Sequence, residues 1–207
     1  MKGINVIALC MVVTFVSFLG FVVENIWLAV TKGYMDNRSM CFPFLLGYGI
    51  AMILIYFIFG TPSNMWFFGR PLKMRSRIKR VLIYFLGVMF CICVGEIVLG
   101  TLVERVCGFC WWDYSKLPMH ITQYTSIPTA AMFAILVTIF MDKCLGPMYN
   151  YFARFNTGKM EYVVVALMSI MVGDFVYSAY KMYKTGGLVR RWRIETKERR
   201  LYKRSGA

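Results

Sequence analysis

Long apolar runs broken by short polar stretches organise this sequence. Five runs stand out: Ile4 to Val30, Phe42 to Gly60, Val81 to Leu102, Thr122 to Met141, and Tyr162 to Met182. Each is near the ~20 apolar residues that cross a hydrocarbon core. A segment in lipid must satisfy its own backbone hydrogen bonds, and none of the runs alternates polar and apolar residues as a barrel strand does. The predicted fold class is therefore all-α, an integral membrane helix bundle with about five transmembrane helices. The first run follows Lys2 as a signal peptide would. It is much longer than the ~7–15 residues of a signal peptide's apolar region and has no small-residue cleavage site, so it is read as the first span.

The stretches between the runs differ in character. A short loop carries Lys32 and Arg38, residues 61–80 form a basic loop, and an aromatic loop surrounds Trp111 and Trp112. The connector from Asp142 to Met160 combines Pro147, Tyr149, Tyr151, Phe152 and Phe155 with Arg154 and Lys159. It is too polar and too short to span and is expected to lie at the interface. This divides the chain into a helix bundle, 1–182, and a basic C-terminal tail, 183–207. No internal repeat is visible, which argues against a self-contained secondary transporter built from inverted halves.

Composition points the same way. The chain is 59% hydrophobic and only 16% charged, with mean hydropathy +0.59, so lipid is its expected solvent and the cell membrane its expected location. The net charge of +14 could suggest nucleic acid. However, ten of the 24 Lys and Arg lie in the last 27 residues and six more between Arg70 and Arg80. Juxtamembrane clusters of this kind favour anionic lipid head groups, so membrane lipids are the expected partners and nucleic acid is not.

Orientation stays open. Five spans place the Arg70 to Arg80 loop and the tail on opposite sides, so the positive-inside rule cannot put both in the cytoplasm. Alternate sides carry ten and fourteen basic residues, the larger number depending on a distal tail that the rule discounts. The second run, with Pro43, Gly47 and Gly49, could instead be partly re-entrant.

Four carboxylates fall within or at the ends of the apolar runs: Glu24, Glu96, Glu104 and Asp174. An ionised carboxylate at mid-membrane costs roughly 2.5–3.5 kcal/mol, so such residues face a bundle interior or a watery cavity. Glu96 and Glu104 are eight residues apart, hence roughly 80° apart around a helix. They share a broad side and not one line. One reading is a polar or proton-linked site centred on Glu96, with Glu24 or Asp174 facing it. The other is that each carboxyl fixes helix packing through hydrogen bonds. For Glu104, followed by Arg105, a surface ion pair competes; for Asp174, the preceding Gly173 suggests close helix approach.

The loop Trp111-Trp112-Asp113-Tyr114-Ser115 fits an aromatic belt at the interface. Asp113 and Ser115 could cap a turn there or form a polar rim over a cavity leading to Glu96. Cys107 and Cys110 make a CxxC just past the third span, a possible redox pair or half of a metal site. No second CxxC exists for exchange, and His120 is the chain's one histidine, so no metal and no cofactor is expected. Cys91 and Cys93 read as small apolar residues, His120 as a hydrogen-bonding side chain. No nucleotide-binding glycine loop, GxSxG or HExxH is present, so ATP hydrolysis would have to come from a partner.

Four segments together resemble a known family: Ser17 to Glu24, Asn37-Arg38 with Pro43 and Gly47-Tyr48-Gly49, Glu96 to Glu104, and Trp111 to Ser115 with Leu117-Pro118. The chain is similar over these to the bacterial membrane proteins of the "putative ABC-transporter type IV" family, through about Met141. Ser39 stands where that family often has Gly, and Cys110 where Arg is frequent. The resemblance implies a transport-related multi-span protein, a permease component without its own ATPase, working with a separate ATPase subunit. It implies no substrate and no catalytic residue. Two other classes remain: a non-transporting scaffold or regulator using the basic tail, and a membrane thiol oxidoreductase using Cys107 and Cys110. The sequence is compatible with self-association.

Overall fold

The computed structural model describes residues 5–155 and 158–196. Lys2 and Ile4 at the start of the first predicted span, residues 156–157 of the predicted connector and the tail beyond Thr196 lie outside them. Five helices account for most of the described chain: α1 (Val6–Lys32), α2 (Leu46–Phe59), α3 (Arg77–Cys107), α4 (Ile127–Ala153) and α5 (Gly158–Thr185). Four of them are long and apolar enough to cross a bilayer. The all-α membrane bundle expected from the apolar runs is what the chain forms.

The fifth helix, α2, has 14 residues and is about 21 Å long, against ~30 Å of hydrocarbon. Its first turn lies beside the middle of α1, where the Leu45 N–H donates to the Ser17 carbonyl at 2.9 Å. The chain leaves α1 at Gly33, returns alongside it as irregular backbone through residue 45, and only then becomes helical. Pro43 cannot donate a backbone hydrogen bond and biases Phe42 away from helical geometry, so the apolar run cannot be helical from its start.

Contacts at each end of the bundle fix the path. At one end the Asn5 N–H donates to the Tyr149 hydroxyl, Ser63 and Arg77 both reach Asp142, and Tyr84 donates to the Gly60 carbonyl. The starts of α1 and α3, the end of α2 and the middle of α4 therefore share one end. At the other, Asn37 binds the backbone of Val189 and Arg191, and strand Tyr34–Asp36 pairs antiparallel with Arg193–Glu195. Loop and α2 together make a fifth crossing, half irregular and half helical.

The fourth helix differs from expectation at both ends. Residues 120–126 form a small hairpin, and the helix starts only at Ile127, capped by Ser126 with Pro128 in its first turn. At the far end Phe140–Cys144 form a π-helical turn, and the helix then continues through Leu145–Ala153. The first part of the predicted interfacial connector is thus a continuation of the span. Asp142 is accommodated because Ser63, Arg77 and Lys143 all partner it where the helix leaves the apolar layer.

Helix packing is closest between α1 and α2. A side chain at Gly49 would meet the Val13 carbonyl oxygen at 2.7 Å, and one at Gly20 would overlap the Tyr48 ring. Small residues are what let membrane helices approach this closely. An apolar core of Val12, Met52, Phe59, Tyr84, Val88 and Met141 fills the Asn5 end of the bundle. The opposite half of the bundle carries most of the buried polar groups.

Candidate functional site

The irregular stretch after α1 is held by side chains from three directions. Asn25 accepts from the Asp36 N–H at 2.8 Å and donates to the Phe21 carbonyl. Asn37, 2% exposed, donates to the carbonyls of Met40 and Val189 and accepts from the Arg191 N–H at 3.0 Å. Asp174 of α5 accepts from the N–H groups of Cys41 and Phe42 at 2.8 and 2.9 Å and from the Ser178 hydroxyl. Irregular backbone at membrane depth is tolerated only where protein supplies such partners.

These restraints turn the loop sharply. Arg38 and Ser39 both adopt left-handed backbone, with φ 48° and 66°, a conformation that costs a residue with a side chain about 1–2 kcal/mol. The frequent Gly of the resembling family at the position of Ser39 has a physical basis here. The turn aims Arg38 into the bundle, where its guanidinium pairs with Glu24 at 3.2 Å, both side chains more than four-fifths buried. Tyr48, laid over Gly20, donates to the other Glu24 oxygen at 2.5 Å. Gly20 and Glu24 are one turn apart on α1, so the same approach that seats the ring delivers its hydroxyl to the carboxylate.

Glu96 of α3 faces this cluster and is differently placed. It lies against the Thr125 side chain and within electrostatic reach of Glu24. Its Oε2 atom is buried without a hydrogen-bond partner, and so are the Thr125 hydroxyl and the Arg38 Nε. Tyr114, from the aromatic loop, completes the group. Its ring lies near Glu24, Glu96 and Arg38. Its phenol O–H is a hydrogen-bond donor close to all three side chains. Glu24 pairs with the guanidinium, and one oxygen of the neighbouring Glu96 is left open.

The other predicted residues fall elsewhere. Glu104 is exposed and accepts from the Tyr124 hydroxyl and from Gln123, so its partners are the hairpin and not Arg105. Asp174 serves the loop backbone, as above. No atom lies within contact distance of a side chain added at Gly173, so close helix approach is not what places Asp174. Asp113 is exposed and accepts from the Ser115 N–H at 2.8 Å, an Asx turn that holds its carboxyl below the usual range. Trp112 donates to the Tyr124 carbonyl at 2.7 Å and fixes the loop on the hairpin, while the Trp111 indole N–H is buried without a partner. Cys107 ends α3 and Cys110 is exposed, both free thiols. Burial, then the charges of Asp113 and Glu104, push the Cys110 thiol up. Among the described residues no three His, Cys, Asp or Glu side chains gather as a metal site.

Arg38 and Tyr48 are the site residues that sequence reasoning did not single out for chemistry. Both lay in the segments that carried the family resemblance, and Arg38 looked like an ordinary loop charge. The family described as "Putative ABC-transporter type IV" matches residues 11–179. The chain belongs to that family. The match takes in every residue of the cluster and extends well past Met141 into α5, so most of the last helix is part of the family pattern. No curated protein and no solved structure matches the chain.

Proposed function

We propose that this protein is the permease-like membrane component of a transport system, and that Glu24, Arg38, Tyr48, Glu96 and Tyr114 form its polar station within the bilayer. The observation that carries this is the Glu96 oxygen buried without a hydrogen-bond partner beside the Glu24–Arg38–Tyr48 network, in which the Arg38 Nε is open as well. A carboxylate needed only for packing would be expected to have its hydrogen bonds closed, as Asp174 does. An open one in the membrane suits a group that exchanges a partner during function.

The half-helical second crossing supports the same reading. Helices broken at membrane depth recur where polar solutes are handled, because their free ends and the adjoining irregular backbone offer polar groups inside the bilayer. Of the Trp111 to Ser115 loop, Tyr114 is the member near Glu24, Glu96 and Arg38. Energy would come from a separate ATPase subunit, a partner in keeping with the family. The thiol oxidoreductase reading has less support, since the sequence holds no second CxxC with which Cys107 and Cys110 could exchange.

The test is Glu96→Gln, which keeps size and hydrogen-bonding capacity and removes the charge. In the complex purified from native membranes, the variant is expected to reach wild-type yield and assembly while ATP turnover falls at least tenfold, about 1.4 kcal/mol of activation free energy. Unchanged turnover in a fully assembled variant would remove Glu96 from the mechanism.

A further inference from the structure

Glu96, Gly100 and Glu104 follow one another at four-residue intervals on α3, so they climb one side of the helix a turn at a time. The hairpin of residues 120–126 lies along that side. Gln123 and the Tyr124 hydroxyl both donate to the exposed Glu104. One turn deeper, a side chain at Gly100 would overlap the Tyr124 ring, so the glycine is what lets the hairpin lie flat on the helix. A further turn in, the wholly buried Thr125 lies against Glu96. Three consecutive hairpin residues thus carry polar groups along α3 from a surface carboxylate toward a buried one.

The inner end of this strip lacks both hydrogen bonds and charge. Glu96 Oε2 and the Thr125 hydroxyl are buried, and neither has a hydrogen-bond partner among the described residues. Glu24 faces Glu96 from α1, but its guanidinium and phenol partners, Arg38 and Tyr48, are engaged with it. Tyr114 of the aromatic loop and Thr125 of the hairpin bring hydroxyl groups, and among the described residues no salt bridge reaches Glu96. The complement to this arrangement is one positive charge at an oxygen that water does not touch. A metal ion would need several ligands around it, and among the described residues no three His, Cys, Asp or Glu gather to provide them. A proton needs neither ligands nor space.

We propose that the polar station binds one proton, held on Glu96 Oε2 and delivered from the hairpin face by way of Glu104, Tyr124 and Thr125. This rests on the station described above and names the partner that Glu96 exchanges. Glu104 takes a proton from water at the surface. At the inner end the Thr125 hydroxyl gives its proton to Glu96 as it receives one from the hairpin side, so the hydroxyl is restored and the carboxylate becomes a neutral acid. Protonation turns Oε2 from an acceptor without a donor into a donor beside the Thr125 hydroxyl, and it removes the unpaired charge next to Glu24.

Infrared difference spectroscopy of the full chain in lipid nanodiscs tests this, because a protonated carboxyl has a carbonyl stretch that a carboxylate lacks. The expected result is a protonated-carboxyl band that is lost in Glu96→Gln and displaced in Thr125→Val. Glu104→Gln should keep the band but slow its exchange with deuterated water about tenfold or more. Absence of any band that depends on Glu96 in the folded protein would overturn the proposal. A band unmoved by Thr125→Val, or exchange at the wild-type rate in Glu104→Gln, would overturn the route. The measurement needs neither substrate nor ATPase: the band reports on the proton and ATP turnover on the transport reading, so each can fail alone.

Discussion

Asn37 and Arg38 are neighbours with opposite tasks. Asn37 uses its amide to hold backbone on both sides of the loop, which frees Arg38 to point inward at Glu24. Removing the amide strands the Arg191 N–H and two carbonyls, and a buried unsatisfied group costs about 1–3 kcal/mol. Asn37→Ala should therefore destabilise the protein by at least about 2 kcal/mol, measured as a lower detergent melting temperature; an unchanged melt would show that the loop does not depend on Asn37. The raised Cys110 thiol gives a second check. A raised pKa means less thiolate at any pH below it, so Cys110 should alkylate more slowly near pH 8 than a free cysteine, with its rate profile displaced to higher pH. An ordinary or lowered profile would show that burial and the Asp113 and Glu104 charges do not control this thiol.

Residue chemistry was legible from the sequence where it broke a pattern. Glu24, Glu96 and Asp174 interrupt apolar runs and announce themselves as costly. Arg38 does not, because a basic residue between two spans looks like a loop charge until the chain is seen to fold back into the membrane. Asp174 and Glu96 look alike in sequence, yet one binds two backbone N–H groups and the other keeps an open oxygen. That difference depends on which loop lies opposite, and no local pattern encodes it.

Among the elements, the long helices followed directly from apolar run length. The start of α2 did not, because Phe42, Pro43 and Phe44 are as apolar as the helix after them, and only hydrogen bonding decides where helix begins. The continuation of α4 past Asp142 was hidden by its polar residues, which end an apolar run without ending a helix. The segment after α5 is also more than a tail. Its strand Arg193–Glu195 pairs with Tyr34–Asp36, Arg193 stacks on Tyr34 at 3.9 Å, and Trp192 packs edge-on against Phe21. We expect a chain ended after Gly187 to insert normally but to melt several degrees lower, since it loses these contacts and both backbone partners of Asn37 beyond α5. A melt identical to that of the full chain would mean that the strap carries no stability.

For the molecule as a whole, five crossings put the two ends of the described chain on opposite sides. Single cysteines introduced at Ser63 and Lys143 in a background without native cysteines should label with an impermeant maleimide from one side, and a cysteine at Lys116 from the other. Labelling of all three from one side would contradict the fifth crossing through α2. This geometry leaves the basic loop at residues 61–80 and the basic segment after α5 on opposite faces, which is why charge alone did not fix orientation.

The central claim is that this bundle works as the membrane component of a transport system. Its most direct test is purification of the tagged protein from its native membrane in mild detergent, with quantitative mass spectrometry of what accompanies it. A nucleotide-binding ATPase subunit in stoichiometric amount, retained equally by the Glu96→Gln variant, is the predicted result. No such subunit, under conditions that keep other membrane complexes intact, would contradict it.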